Sequence, residues 1–506
     1  MMGQTGQFEA ALRVVGRLRA EGFEAYLAGG CVRDLLLGRE PSDYDVATSA
    51  TPDVVLGLFP RTFAVGAHFG VVLVATCGGE DGTCGAADAA CAAGEECEEK
   101  HYVLTEVATF RSDGVYSDGR HPDAVRYTLS AEEDVRRRDF TINGLLADPL
   151  QSPEKQPQVL RLPSVAQDDK HLRAGPSTPL RFAQDDKFLG VIDFVGGVAD
   201  LEAGVVRAIG RAEERFEEDH LRMLRGVRFA ARFGFELEAG TKGAILGLAS
   251  KTAAVSRERV RDELTKMLTE GRARRAFELL DETGLLIEVL PEVARMKGVE
   301  QPPQYHPEGD VWVHTLGLLG QLEAGCSATL AWGALLHDVG KPPTFRRAPD
   351  RIRFDGHVEV GVAVGAEILR RFRFSNEETR QILALIENHM RFADAGRMKA
   401  STLKRFFRLE GFAEHLALHR MDCLAGSGNL EHWEFVRERW MATPEEAVRP
   451  KPLITGRELI AAGYAPGAGF KEMLRAVEDA QLEGTIGTAE EAMRLVRERF
   501  GETKSC

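Results

Sequence analysis

Hydrophobic and polar positions repeat with two different periods along this chain, and the change of period divides it. Over residues 7–21 apolar positions recur at helical spacing among mixed charges, which predicts an amphipathic helix. Apolar runs at 24–28, 65–76 (VGAHFGVVLVAT) and 101–110 (HYVLTEVATF) predict strands. Short helices are expected at 32–37 and 52–59 between them. Ordered patterning resumes at 191–210, and from residue 211 helical periodicity dominates with few strand signals. The fold class expected is α+β, a mixed N-terminal domain followed by an all-helical remainder.

Two stretches break the pattern. Residues 77–100 hold Cys77, Cys84, Cys91 and Cys97 among Gly, Ala and Glu. Their spacings are longer than the close pairs of zinc knuckles, so an extended hairpin tip or a disordered insertion is expected. Residues 151–190 are rich in Pro, Gln and Asp and carry AQDDK twice, at 166–170 and 183–187. A polar stretch without periodicity reads as an insertion looped out of its domain.

A length of 506 residues predicts several structural units, and a hydrophobic fraction of 44% is ordinary for a soluble globular protein. No run of about 18 uncharged apolar residues occurs, so a membrane span is not expected. The N-terminus lacks the apolar core of a signal peptide, and eight cysteines in so long a chain do not read as a disulfide framework. A cytoplasmic protein is expected. The net charge of −14 argues against indiscriminate coating of nucleic acid but leaves room for a local basic surface. Arg136, Arg137 and Arg138, and the run Lys404-Arg405-Phe406-Phe407-Arg408, are candidate parts of one; the alternative for each is a solvated helix face.

Candidate chemistry concentrates in residues 26–51, YLAGGCVRDLLLGREPSDYDVATSAT. Gly29 and Gly30 let backbone N–H groups at a helix start approach a polyphosphate, and Arg33 can set a bidentate cation on it. Asp43 and Asp45 share one face if they lie on a strand, a hard-oxygen arrangement suited to Mg²⁺. Glu106 is a candidate third carboxylate, or equally the partner of an arginine. These motifs resemble the first motif of the class II nucleotidyltransferases, the bacterial CCA-adding enzymes of tRNA and their poly(A) polymerase relatives. The resemblance implies a polymerase-β-like nucleotidyltransferase head followed by helical neck, body and tail.

Later segments extend the resemblance. RRRDFTINGLLADP at 136–149 is close to the family's RRDFTINA motif, with Gly144 in place of Ala. Arg137 and Arg138 are expected at the triphosphate; Asp139 and Asn143, four apart on a presumed helix, at a ribose hydroxyl. The polar segment 111–121 resembles the family's flexible loop. In EDHLRMLRGVRFAARFGF (218–235), Asp219, Arg222, Arg225 and Arg228 form a slowly turning stripe on one expected helix, beside an apolar stripe of Leu221, Leu224 and Val227. In the family the matching Glu-Asp-x-x-Arg templates the incoming base, so Asp219 and Arg222 are expected to read the edges of C and A. Arg225 and Arg228 are expected at phosphates. SRERVRDELTKML (256–268) reads as a supporting helix.

His314, the adjacent His337 and Asp338, and Asp422, in that order on predicted helices, resemble the HD metal-dependent phosphohydrolases. His357 and His389 add two candidate ligands and room for a second divalent metal. The domains expected are a head at 1–150, the low-complexity insertion at 151–190, the end of the head and a neck at 191–299, an HD-type unit at 300–440 and a helical tail at 441–506. The resemblance implies template-independent addition of CCA to tRNA from CTP and ATP with Mg²⁺, with no membrane or DNA partner. CC-only, A-only or poly(A) synthesis stays open, as does a different class, an HD phosphohydrolase or silent protein whose head merely binds RNA. VGAHFGVVLV, where poly(A) polymerases carry a basic segment, favours CCA addition.

Overall fold

The N-terminal helix forms over Met2–Ala20, longer than its periodicity predicts, and buries Ala10, Ala11, Val14, Val15 and Leu18. These coordinates, a computed structural model, describe residues 2–64, 70–77, 102–113, 125–150, 190–304, 306–349 and 351–501. The chain divides into two units, residues 1–263 with 282–289, and residues 264–281 with 290–506.

The first unit is built on one mixed sheet. Its strands are β1 (Ala25–Ala28), β2 (Val46–Thr48), β3 (Thr62–Phe63), β4 (Val71–Cys77) and β5 (Tyr102–Thr109). After the separate ribbon of β6 (Arg111–Asp113) and β7 (Val125–Tyr127) come β8 (Leu145–Asp148) and β9 (Gly190–Asp193). The order across the sheet is β3-β4-β5-β2-β1-β8-β9. All neighbours are antiparallel except β2 and β5, whose parallel register sets Val46 against Val107. Side chains alternate along β5: Thr105, Val107 and Thr109 are buried, while Tyr102, Leu104 and Glu106 face the open side. Glu106 is exposed, although Ala47 on the same face of the neighbouring strand belongs to a buried cluster with Ala28, Phe110 and Leu146.

The two irregular stretches leave and rejoin the sheet at paired residues. Cys77 lies opposite Tyr102, and Asp148 opposite Gly190. Cys84, Cys91, Cys97 and both AQDDK copies lie outside the described residues, as does much of the loop expected at 111–121.

Beyond the sheet, Ala212–Glu218 and Leu221–Phe233 are separate helices, so Asp219 is not on the arginine helix. Its extended backbone (φ −147°, ψ 105°) makes the turn between them, and its carboxylate accepts the Leu221 N–H at 3.0 Å. The apolar stripe of Leu221, Leu224 and Val227 is buried as expected.

The second unit is helical apart from the ribbon of Arg346–Arg347 with Ile352–Arg353. Helix starts carry ordinary caps: Asp310 and Ser327 accept N–H groups of Val313 and Leu330, and Ser375 with Glu378 forms a capping box. Gly340 permits a close approach, since a Cβ there would meet the His357 carbonyl at 2.0 Å. The HD segment can therefore lie against the helix His357–Arg371.

Candidate functional site

The parallel pairing of β2 with β5 assembles the head carboxylates. Val46 stands opposite Val107, so one residue earlier Asp45 falls beside Glu106 on the open face. Asp43 and Asp45 precede β2 instead of lying on it, although Ala28 N–H still bonds the Asp45 carbonyl at 3.0 Å. Burial, then the charges of Glu106 and Asp43, push the Asp45 carboxyl up to about 7, and Arg138 offsets this only in part. Glu106 is raised likewise, by the protein crowding its carboxyl and by Asp43, although the residue keeps an exposed edge. Mutual repulsion among carboxylates that Arg138 neutralises only in part fits a hard divalent cation, which would favour the ionised forms. Their oxygens are not among the described groups gathered within 4.8 Å. In the sequence Glu106 stands equally as a third carboxylate or as the partner of an arginine. Its opposition to Leu73 and alignment with Asp45 are facts of register, which spacing along the chain does not carry.

The basic residues sort into two kinds. Arg138 stands at the turn, with its Nη1 3.0 Å from where a Gly29 Cβ would lie. Gly29 has φ +71°, so only glycine suits this position on both counts. The Gly29 N–H already donates to the Leu145 carbonyl at 2.9 Å, so it extends the sheet and is not left for a phosphate. Gly30 opens the helix Gly30–Leu36. Buried Asp134 holds both Arg137 (2.7 Å) and Arg138 (3.0 Å), while Arg136 turns outward to Glu132. Arg33 departs from expectation. It is 4% exposed, bonded to Asp34 and to Asn143 Oδ1, and stacked on Phe233, so it ties the turn to the motif helix.

Asp139 and Asn143 do meet, at 3.1 Å, but through the tight turn Thr141–Asn143 and not along an α-helix. The other Asp139 oxygen accepts Arg225 Nε at 2.7 Å. Burial alone would raise this carboxyl, yet Arg225 and Asn143 hold it down to about 2. Gly144 is enclosed so closely that an added Cβ would lie 2.8 Å from Val195 Cγ2.

At the proposed base-reading turn, Arg222 donates to Glu218 at 2.6 Å, and Asp219 accepts Arg259 Nη2 at 2.7 Å. Arg259 lies on the helix Arg257–Thr269, read from sequence as support alone. On the same helix Glu263 pairs with Arg228 at 2.7 Å, both almost fully buried. Arg228 is thus a packing residue, and only the outer part of the stripe lines the turn. Its i+9 position has rotated away from Arg222 toward the core.

The second unit gathers every HD candidate. His314 Nε2 lies 3.0 Å from Asp422, His337 Nε2 3.1 Å from Asp338, and His389 and His357 are 3.8 and 4.0 Å from the other Asp338 oxygen. Three sets have ligand atoms within 4.8 Å of one another: His306, Glu308 and His314; His314, His337 and Asp422; and Asp338, His357 and His389. His337, His357 and His389 each direct Nδ1 to a backbone carbonyl three residues earlier (2.9, 3.0 and 2.7 Å), leaving Nε2 for the centre. Among the described residues those Nε2 atoms and Asp338 Oδ1 are buried without hydrogen-bond partners, while Asp338 Oδ2 pairs with Lys341. Burial holds His389 at about 4 and lowers His357, so these imidazoles are neutral. Buried orphan nitrogens and an orphan oxygen converging on one point fit a divalent metal. His306, Glu308 and Lys341 join the centre, with Lys341 Nζ 2.7 Å from Asp338. The sequence pattern does not draw in His306 and Glu308, because loop residues carry no periodic signal.

Comparison with known proteins places these modules. Residues 25–156 match the family "Poly A polymerase head domain", 234–297 "Probable RNA and SrmB- binding site of polymerase A" and 313–419 "HD domain". A CCA-adding enzyme of Streptococcus thermophilus is 29% identical over 492 residues, 96% of each chain. One of Latilactobacillus sakei is 32% identical, over 66% of this chain and 70% of its own. The match to the Geobacillus thermodenitrificans CCA-adding enzyme, 37% identical over 55% of this chain, spans about half (54%) of that relative's length. The crystal structure of Bacillus stearothermophilus CCA-adding enzyme in complex with CTP aligns over 98% of both chains, with TM-score 0.65 and 26% identity. A polymerase-type head with its carboxylates and an HD unit with its histidines, in one chain and in this order, belong to the family of CCA-adding enzymes, and this chain is a member of it.

Proposed function

We propose that this chain adds CCA to the 3′ end of tRNA, from CTP and ATP, without a nucleic-acid template and in the cytoplasm. The observation that carries the reading is the repelling cluster of Asp43, Asp45 and Glu106 beside Arg138. Mg²⁺ is the cation proposed for Asp43 and Asp45; bound there it would stabilise charge on the attacking and leaving oxygens. Arg138 and Arg137, held by Asp134, are positioned for the triphosphate, and Asp139 with Asn143 for the ribose. Asp219 supplies a carboxylate acceptor for the exocyclic amine of C or A, and Arg222 a donor for ring acceptors, an edge that G and U do not complement. The CTP complex of the Bacillus stearothermophilus relative supports a nucleotide at this head.

A second site is favoured by the orphaned HD ligands. We read the helical unit as a divalent-metal phosphohydrolase centre that works independently of nucleotide addition. The head reading is tested by incubating the protein and Mg²⁺ with tRNA lacking CCA, with CTP and ATP singly and together, and sequencing the 3′ ends. CTP alone should give CC and both nucleotides CCA. Long A tracts, or ends that stop at one nucleotide type, would refute it.

A further inference from the structure

Among the four histidines of the HD centre, His314 is oriented differently. The other three direct Nδ1 to the carbonyl three residues back. For His314 that carbonyl belongs to Val311, and it already accepts the Thr315 hydroxyl at 2.8 Å. His314 turns instead to the loop before its helix, where its Nδ1 lies 2.6 Å from Glu308 Oε1. The same oxygen takes His306 Nδ1 at 2.9 Å, and the His306 ring packs edge-on against His314 at 4.8 Å. Among the described residues Glu308 Oε2 is buried without a hydrogen-bond partner, and it is Oε1 that holds both rings.

We propose that Glu308 is the positioning residue of this centre: it fixes the His314 tautomer so that Nε2 faces the metal, and its negative charge makes that nitrogen the strongest imidazole donor present. A carboxylate behind a metal-bound imidazole raises ligand basicity, and losing such a partner typically costs about 10- to 100-fold in affinity. The role falls on the set His314, His337 and Asp422 and leaves Asp338, His357 and His389 with their backbone-held rings. It rests on the centre binding a divalent cation, and the test separates the two claims.

The test is Co²⁺ binding to the full chain, followed by equilibrium dialysis and by visible absorption of the bound ion. Glu308→Ala should bind about 10- to 100-fold more weakly and with an altered spectrum. Glu308→Gln, which keeps an acceptor oxygen without the charge, should recover part of the affinity. Nucleotide addition and thermal unfolding of the head serve as the folding control. If Glu308→Ala does not fold, the isosteric Glu308→Gln decides alone. Wild-type affinity and spectrum in a folded variant would overturn the positioning role. A wild-type chain that takes up no Co²⁺ would overturn the metal centre itself, and the role of Glu308 with it.

Discussion

Asp219 and Arg222 each have an ionic partner, yet Asp219 remains partly exposed and retains acceptor capacity beyond Leu221 and Arg259. A hydrogen bond to a charged group contributes about 1.5–3 kcal/mol. Losing one at the base edge should therefore change nucleotide choice by roughly 10- to 150-fold. Arg222→Ala and Asp219→Ala should raise the relative kcat/KM for UTP against CTP, with metal dependence unchanged; unchanged nucleotide ratios would remove the base-reading role. Asp139 makes a prediction in pH. Its folded carboxyl lies near 2, below the ordinary value of about 3.9, so its ionised form stabilises the fold. That contribution, of order 2–3 kcal/mol, is complete above the unfolded value and is lost as pH falls toward 2. The stability gap between wild type and Asp139→Asn should be flat above about pH 5 and shrink between about pH 4 and 2. A gap that widens with acid would contradict the assignment.

At the scale of elements, the helix Arg257–Thr269 holds the arginine helix through the buried pair Arg228–Glu263. Removing one partner strands a buried charge, at a cost of about 3–5 kcal/mol. Arg228→Met should therefore lower thermal stability sharply, and Arg228→Met with Glu263→Leu should restore most of it while nucleotide ratios stay at wild type. A stable single variant with altered nucleotide choice would return Arg228 to the site. This pair also marks where sequence reading runs out. Strands β4 and β5, the apolar stripe and the HD ligand order were legible because each follows a period or a motif. Arg33, Arg228 and Arg259 were misassigned or passed over, and Glu106 was left between two readings, because their partners lie on other elements and no local spacing encodes a partner. Asp219 was placed on a helix because its spacing to Arg222 is helical, but Asp favours the turn that starts one.

At the scale of the whole molecule, the cations available to a partner depend on which of them are already paired. Lys404 donates to the Leu482 carbonyl, Arg405 pairs with Glu478 and Asp479, and Arg408 pairs with Glu478, so the basic run that was a candidate part of a basic surface is largely committed inside the helical unit. The two candidate centres fall in different units of the chain. His337→Ala with Asp338→Ala should abolish Co²⁺ uptake by the helical unit and any phosphodiesterase activity on 2′,3′-cyclic nucleotides, and leave nucleotide addition at wild-type rate. Parallel loss of both activities would point to a structural role for the pair.

The central claim is that one carboxylate cluster in the head performs every addition. Asp45→Asn keeps size and hydrogen bonding but removes the charge, so single-turnover rates should be measured on tRNA lacking CCA with CTP and on tRNA ending in CC with ATP. Loss of a metal ligand should slow both reactions together by orders of magnitude while Co²⁺ uptake by the helical unit is unchanged. Survival of either C or A addition at near wild-type rate would contradict a single shared site.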